Sequence, residues 1–434
     1  MRKLAPSELK KQALEELLNG RTEEPPGGWL GAFIKLSVEK LLQELLEVEQ
    51  EEALGRERYR RREFEEESGR CQRYRNGYER GRLKTAEGVL EVKRPQIRGG
   101  EEPYRSPLWE RLRGTSEQFK QLVIEMYTRG MSTRDIESAL EEALGGFVIS
   151  RNQVSQLTEQ LVEEYEAFRT RDLSGYEVAY LFLDTVYEPL RRYGASSGVM
   201  CCWAYLIDGS KMLISLSLTN QESTEACVDF LRDLVRRGLP TPLTVTTDGA
   251  PGLIRAVEQV WPHSLRIRCW VHKMRNLEAK VPRARWEEFK RQVQAIRDAC
   301  SIEQAGRQLE EVLETYGDEL PAACRCLLED REASLNHLRL PPRHQPYVRS
   351  TNLIERTFVE QRRRTKVIPH FWDQRDLTKL VFGVLIRVSD RWSQAQFSYF
   401  EREQIAQLRM QILKEASPVS QQSTTTRRSA ARVA

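Results

Sequence analysis

The chain has 434 residues, 40% hydrophobic and 30% charged, with a formal net charge of only +4. Its longest apolar run, residues 199–207, is far short of the ~18 residues that a membrane-spanning helix needs. The opening MRKLAPSELKKQALEELL lacks the apolar centre of a secretory leader, and the eight cysteines follow no framework spacing. A soluble, cytoplasmic protein with reduced thiols and no membrane association is therefore expected.

Residues 1–68 read as charged helices. Leu36, Val38, Leu41, Leu42, Leu45 and Leu46 recur at helical spacing. They describe either a solvated helix with one apolar face or an oligomerisation seam. The modest net charge hides segregation: an acidic run at residues 44–52, basic residues Arg56 to Arg62, acids at Glu63 to Glu67, then nine Lys/Arg against three Glu over residues 69–98. Such local basic patches mark a nucleic-acid partner better than bulk charge does.

Residues 69–115 predict small β-hairpins, with Asn76-Gly77 as a turn and alternating runs at residues 83–85 and 89–92. Arg73, Arg75 and Tyr78 are the candidate DNA contacts here, because arginine suits phosphates and aromatics suit bases. A charged, solvated sheet edge is the alternative.

Residues 116–172 predict three helices with tight turns. Gly130 ends the first, Ser132 or Thr133 caps the second, and Ser150 caps the third. The third opens Arg151-Asn152-Gln153, side chains of the kind that read base edges, which suits a helix-turn-helix reader. A plain three-helix bundle shares the pattern.

From residue 173 the texture changes. β-rich runs at 178–187, 199–207 and 212–218, a helix at 222–237, a strand at 243–247, a helix at 253–260 and a strand at 265–270 give the order β-β-β-α-β-α-β. That is the order of an RNase-H-like α/β core. Residues 173–272 form its first part, 273–345 an all-helical insertion, and 346–414 the remainder. Residues 415–434 are a polar tail expected to be disordered.

Three acids stand out. Asp184 interrupts the apolar strand Leu181-Phe182-Leu183-Asp184-Thr185-Val186. A carboxylate there costs several kcal/mol unless it is paired or holds a cation. Asp248 ends the fourth predicted strand, the neighbour of the first in this topology. Asp-Gly is also an ordinary turn. Glu355 lies in Ser350-Thr351-Asn352-Leu353-Ile354-Glu355, where it serves either as a third metal ligand or as the partner of an Asn352 helix cap. Three oxygen ligands suit Mg2+, with Mn2+ as the alternative ion, and two such ions activate an attacking oxygen and stabilise a leaving one. Arg362, Arg363, Arg364 and Lys366 follow on the same helix as candidate phosphate contacts. Cys269 and His272, combined with Cys324 and Cys326, have zinc-ligand chemistry but no standard spacing.

The motifs around these acids resemble the Mutator-type bacterial insertion-sequence transposases. Thr247-Asp248-Gly249-Ala250, then Arg268-Cys269-Trp270-Val271-His272 with Arg275-Asn276 and Lys280-Val281-Pro282, is similar to the family's second-acid region. Ser350 to Glu355 followed by Arg362-Arg363-Arg364-Thr365-Lys366-Val367 is similar to its third-acid region. Asn76-Gly77-Tyr78 and Gly130-Met131-Ser132-Thr133-Arg134 resemble its N-terminal part. Glu188-Pro189 departs from the usual continuation of the first-acid strand.

The resemblance implies Asp184, Asp248 and Glu355 as catalytic metal ligands, with two ions per site, and an all-helical insertion before the glutamate. It implies an enzyme that binds the terminal inverted repeats of an insertion sequence, cuts them and joins them to target DNA. A homo-oligomer acting at the bacterial nucleoid is expected. A nuclease or junction resolvase on the same core, or a DNA-binding regulator with a decayed core, are the rival readings.

Overall fold

The computed structural model describes residues 4–20, 25, 28–60, 73–100, 102–144, 146–189, 196–219, 223–365, 371, 373–392 and 396–415. Lys366, the stretch 61–72 and the tail beyond 415 lie outside the described residues. The chain divides into two compact units, residues 1–160 and 161–434.

The first unit contains helices α1 (Pro6–Leu18) and α2 (Gly28–Leu54), a hairpin of β1 (Tyr74–Thr85) and β2 (Gly88–Arg98), a short helix α3 (Pro107–Leu112), and a two-residue strand β3 (Gly114–Thr115) beside β1. Helices α4 (Glu117–Thr128), α5 (Thr133–Leu144) and α6 (Arg151–Thr158) follow. The hairpin is a single long one that turns between Thr85 and Gly88. Asn76-Gly77, expected as a turn, lies inside β1 at a shift of register, with Gly77 at φ +80°. A glycine tolerates that conformation at a bulge as well as at a turn.

Helix α2 covers the edge of β2 with polar side chains. Glu39 accepts from the Glu91 amide at 2.8 Å. The Gln43 amide group donates to the Lys93 carbonyl at 2.8 Å and accepts from its N–H at 2.7 Å. Gln50 donates to the Gln96 carbonyl at 3.1 Å. These side chains stand in for a neighbouring strand and satisfy an edge that would otherwise be open. Leu46 packs with Leu83, Leu90, Val92 and Trp109 beneath them.

In the second unit a five-stranded sheet runs in the order β6 (Lys211–Thr219), β5 (Ser196–Leu206), β4 (Val178–Pro189), β7 (Thr244–Thr247), β8 (Leu265–Arg268). Strand β5 runs opposite to the other four. Helix α7 (Gln160–Thr170) precedes the sheet, α8 (Thr224–Arg236) joins β6 to β7, and α9 (Pro251–Val260) joins β7 to β8. The third helix expected in 116–172 is thus two, divided at Glu159. Helices α10 (Trp270–Glu278), α11 (Arg283–Arg297), α12 (Ile302–Tyr316), α13 (Pro321–Leu328) and α14 (Arg331–Leu335) form the expected helical insertion around Trp286, Phe289, Leu309 and Tyr316. It starts sooner than expected: Trp270 opens α10 and does not extend β8. Short α15 (Gln345–Val348), then α16 (Asn352–Thr365), α17 (Gln374–Trp392) and α18 (Tyr399–Glu415) complete the unit.

Strand alternation sorts the sheet's faces. Leu181, Leu183 and Val245 join the apolar core with Leu231 and Leu253 of α8 and α9. The opposite face carries Tyr180, Phe182 and Trp203. There the Tyr180 hydroxyl meets His344 Nδ1 at 2.7 Å, and the Trp203 ring lies 5.6 Å from that of Trp392. Asp184 and Thr246 belong to this second face by the same alternation. The unit is mixed α/β, as the sequence predicted.

Candidate active site

The two aspartates occupy equivalent places on adjacent parallel strands. Leu183 of β4 pairs with Thr247 of β7, and Thr247 pairs with Arg268 of β8. One residue further along lie Asp184, Asp248 and Cys269. Neighbouring strands are about 5 Å apart, so the two carboxylates leave the sheet side by side. Pro189 does not shorten β4, which runs on to that residue.

Each aspartate is oriented by its own backbone. The Thr185 amide donates to Asp184 Oδ1 at 2.9 Å, and the Ala250 amide donates to Asp248 Oδ1 at 2.9 Å. The turn after Asp248 demands glycine: Gly249 sits at φ +90°, and a Cβ there would lie 1.8 Å from the Arg268 guanidinium.

Glu355 is delivered by a stitched segment. Thr246 Oγ1 donates to the Val348 carbonyl at 2.8 Å. The Trp270 amide donates to the Arg349 carbonyl at 2.9 Å. The Thr351 amide donates to Cys269 Sγ at 3.3 Å. Residues 348–351 are thereby fixed to the strand ends, and α16 leaves from there. Its first helical bond runs from the Glu355 amide to the Thr351 carbonyl at 2.9 Å. Thr351 therefore holds the cap position, and Asn352, expected there, is the exposed first helical residue. Two turns on, Gln361 donates to Glu188 Oε1 at 2.6 Å, tying α16 to the end of β4.

The electrostatics connect the three acids. Asp184 is 7% exposed. Burial pushes its carboxyl up to about 7; Asp248 and Glu355 push the same way, while the His272 imidazole and the Thr185 amide oppose them. Glu355 Oε1 lies 3.2 Å from Arg275 NH1 and 3.9 Å from His272 Nε2, and it accepts no hydrogen bond in the structure. Among the described residues no three His, Cys, Asp or Glu side chains close tightly enough to hold an ion as they stand. Glu355 is instead held by Arg275.

Cys269 and His272 sit at this site as a pair. The bond to Cys269 raises the His272 imidazole above its ordinary value, although burial opposes it. Burial alone would push the Cys269 thiol up, but bonds with His272 and Thr351 bring it below its ordinary value. Cys324 and Cys326 lie elsewhere, within the apolar core of the helical insertion.

The candidate DNA contacts have different surroundings. Arg73 and Asn152 are exposed. Arg75 is spent internally, donating to the Arg56 carbonyl at 2.9 Å and facing Glu51 at 3.6 Å. Tyr78 lies against Arg58, with 6.0 Å from ring centre to guanidinium. Arg151 pairs with Glu137 at 2.8 Å. Arg363 and Arg364 both pair with Glu360, at 2.9 Å and 2.6 Å. Arg362 is exposed, with no ion pair among the described residues. Sequence reasoning missed Arg275, Thr351 and the Gln361–Glu188 pair as parts of the site. Arg275 stood inside a quoted motif, three residues after His272, which is one helical turn.

Residues 14–395 match the family model described as Transposase, Mutator family. The chain is 30% identical over 382 residues to the transposase for insertion sequence element ISRM5 of Rhizobium meliloti, spanning 88% of this chain and 93% of that one. It is 30% identical to the transposase for IS1081 of Mycobacterium tuberculosis, covering 84% and 87% of the two chains. It is also 30% identical to that for IS256 in transposon Tn4001 of Staphylococcus aureus, covering 78% and 86%. The chain belongs to the Mutator family of transposases.

Proposed function

We propose that this transposase binds the ends of an insertion sequence and cuts and joins DNA strands at Asp184, Asp248 and Glu355. The observation that carries the reading is the placing of Asp184 and Asp248 at equivalent positions of the parallel neighbours β4 and β7, with the Glu355 helix stitched to the ends of β7 and β8. The sheet order, with one antiparallel strand among four that run together, supports an RNase-H-like core. The raised Asp184 carboxyl and the buried Glu355 Oε1, ion-paired with Arg275 but accepting no hydrogen bond, fit a divalent cation, because acids crowded in a buried site are stabilised by positive charge.

Mg2+, or Mn2+ in its place, would be held by Asp184, Asp248 and Glu355 as two ions. When bound they supply activation of an attacking oxygen and stabilisation of a leaving one. The protein's own residues do the positioning. The Thr185 and Ala250 amides aim the aspartates, Arg275 and His272 hold Glu355 until DNA arrives, and exposed Arg362 grips an adjacent phosphate. In cleavage, a water oxygen bonds to phosphorus at the element's end as the bond to the 3′ oxygen breaks, leaving a 3′-hydroxyl. In joining, that hydroxyl oxygen attacks a target phosphate in line and displaces its 3′ oxygen, so no bond to the protein forms.

End recognition falls to the first unit. The three-helix group α4 to α6 presents Arg151 and Asn152 at the start of α6, in the manner of a helix-turn-helix reader. A homo-oligomer is supported by the exposed apolar face of α2, with Leu41 56%, Leu45 44% and Val48 51% exposed. The test is cleavage and strand transfer of an element end by Asp184→Asn, Asp248→Asn and Glu355→Gln in Mg2+. Each is expected to abolish both steps while end binding persists. Cleavage retained by any of them removes that residue from the triad. Cleavage without strand transfer by the unmodified protein would favour a nuclease.

A further inference from the structure

Beside Glu355 a cavity of about 1230 Å³ opens between α10, α11 and the segment that leads into α16. Its lining begins at the acid site itself: Arg275, which contacts Glu355 at 3.2 Å, is one of its walls, and Ser350 and Asn352 are another. Of the five Lys and Arg in its lining, Arg275 pairs with Glu355, and Arg297 and Arg349 share Asp298, which leaves Arg283 and Lys290 as its cationic rim. Arg283 is exposed with no ion pair among the described residues. Lys290 shares Glu287 at 3.5 Å and is 35% exposed. The floor is different in kind. Half-buried Val271 and Met274 supply its apolar surface, while Trp270 and Trp286 are almost wholly buried beneath, 3% and 9% exposed.

We propose that this groove holds an unpaired stretch of the DNA strand that leaves the scissile phosphate. The inference rests on the transposase reading above. A cationic rim alone would serve any nucleic acid, since phosphates attract it irrespective of pairing. The apolar floor is what selects. In duplex DNA the base faces are stacked inside, so an apolar floor would meet only sugar and phosphate. An unpaired strand offers its base faces to that floor while its phosphates meet Arg283 and Lys290 on the rim, which is the general design of single-strand channels. The groove's continuity with Glu355 through Arg275 puts its occupant next to the bond that is cut. Opening the flank beside that bond would give the strand a fixed path out of the site.

The test uses the full-length protein and two probes: a fluorescein-labelled oligothymidine strand and a blunt duplex of mixed sequence. The variant is Arg283→Glu with Lys290→Glu, checked for an unchanged melting temperature. Two results are required together. The variant must lose at least about tenfold in affinity for the single strand, with duplex affinity altered much less. A 5-iodouracil-bearing oligothymidine, irradiated on the unmodified protein, must cross-link within residues 270–297. Equal loss on both probes, no loss, or cross-links only outside that segment overturns the proposal. Cleavage of an element end in Mg2+ by the unmodified protein and by Asp184→Asn is measured alongside. Asp184-dependent cleavage upholds the transposase reading whatever the groove does. Its absence sinks that reading, while strand-selective loss would still establish the groove as a single-strand site.

Discussion

The Thr351 amide donates to the sulfur of Cys269 at 3.3 Å, and the Thr351 hydroxyl lies 3.4 Å from the same atom. This bond joins the residue just past β8 to the cap of the helix that carries Glu355. Cys269 is fully buried, so no water replaces it.

Cys269→Ala would leave the buried Thr351 amide without an acceptor, at a cost of about 1–3 kcal/mol. It would also loosen the start of α16. The expected result is a lower melting temperature together with cleavage reduced well beyond what the stability loss explains. Cys269→Ser keeps an acceptor and should recover part of both. If Cys269→Ala cleaves an element end as fast as the unmodified protein, the bond does not position Glu355.

Asp184 makes stability depend on pH in a direction opposite to that of most carboxylates. Its carboxyl is raised from the ordinary range to about 7, so the folded state binds the proton more tightly than the unfolded chain does. The resulting stability is complete below about pH 4 and disappears as pH rises through about 7. It amounts to roughly 4 kcal/mol. In chelator, urea unfolding at about pH 5 and about pH 8.5 should therefore show a loss with rising pH that Asp184→Asn reduces by about 3 kcal/mol, the part of the total that lies above pH 5. At the higher pH the variant should be the more stable protein. Mg2+ should restore the unmodified protein far more than the variant. Identical pH curves for the two proteins would show that Asp184 ionises as freely when folded as when unfolded.

The legible parts of this protein were those with one physical solution. An aspartate in the run Leu181-Phe182-Leu183-Asp184-Thr185-Val186 has few reasons to exist in a strand, and the alternation around it sets the face it occupies. The sheet order followed from strand-helix alternation because parallel neighbours need crossovers. Local signals with two solutions misled. Asn76-Gly77 marks positive φ, which serves a bulge or a turn equally. Asn352 and Thr351 are both good caps, and the choice was made at long range by Cys269. Helix α2 shows the limit most clearly. Its Glu39 and Gln43 are buried because they complete the edge of β2, about fifty residues away in sequence, which no local periodicity records.

That inversion leaves an apolar seam on the outside of α2. Ile34, Val38, Leu41, Leu45 and Val48 are spaced 4, 3, 4 and 3 and are 38%, 37%, 56%, 44% and 51% exposed. This is the heptad alternation of a helix that packs against another helix. Leu41→Glu with Leu45→Glu should lower the mass measured by sedimentation, with the helical content retained. The same mass for variant and unmodified protein would place the subunit contact elsewhere.

Arg362 separates a phosphate clamp from a solvated helix end. It lies seven residues beyond Glu355, about two turns or roughly 10 Å along the axis of α16. That distance suits a phosphate next to the one being cut. Its neighbours are already engaged, since Arg363 and Arg364 share Glu360 at 2.9 Å and 2.6 Å. Arg362 is exposed, and its planar fork can grip phosphate with two parallel bonds. If it does, Arg362→Ala weakens binding to every DNA sequence alike and flattens the dependence of log affinity on log salt by about one unit, because one fewer counterion is released. Arg363→Ala should change the slope less, since that side chain must first leave Glu360. A solvated arginine would instead shift stability by under about 0.5 kcal/mol and leave binding alone. Affinity measured for the unmodified protein and both variants at a low and a moderate salt concentration decides. Parallel lines for the unmodified protein and Arg362→Ala would mean that Arg362 touches no phosphate. A smaller slope for Arg362→Ala than for Arg363→Ala would assign the contact to Arg362, the arginine that has no ion pair among the described residues.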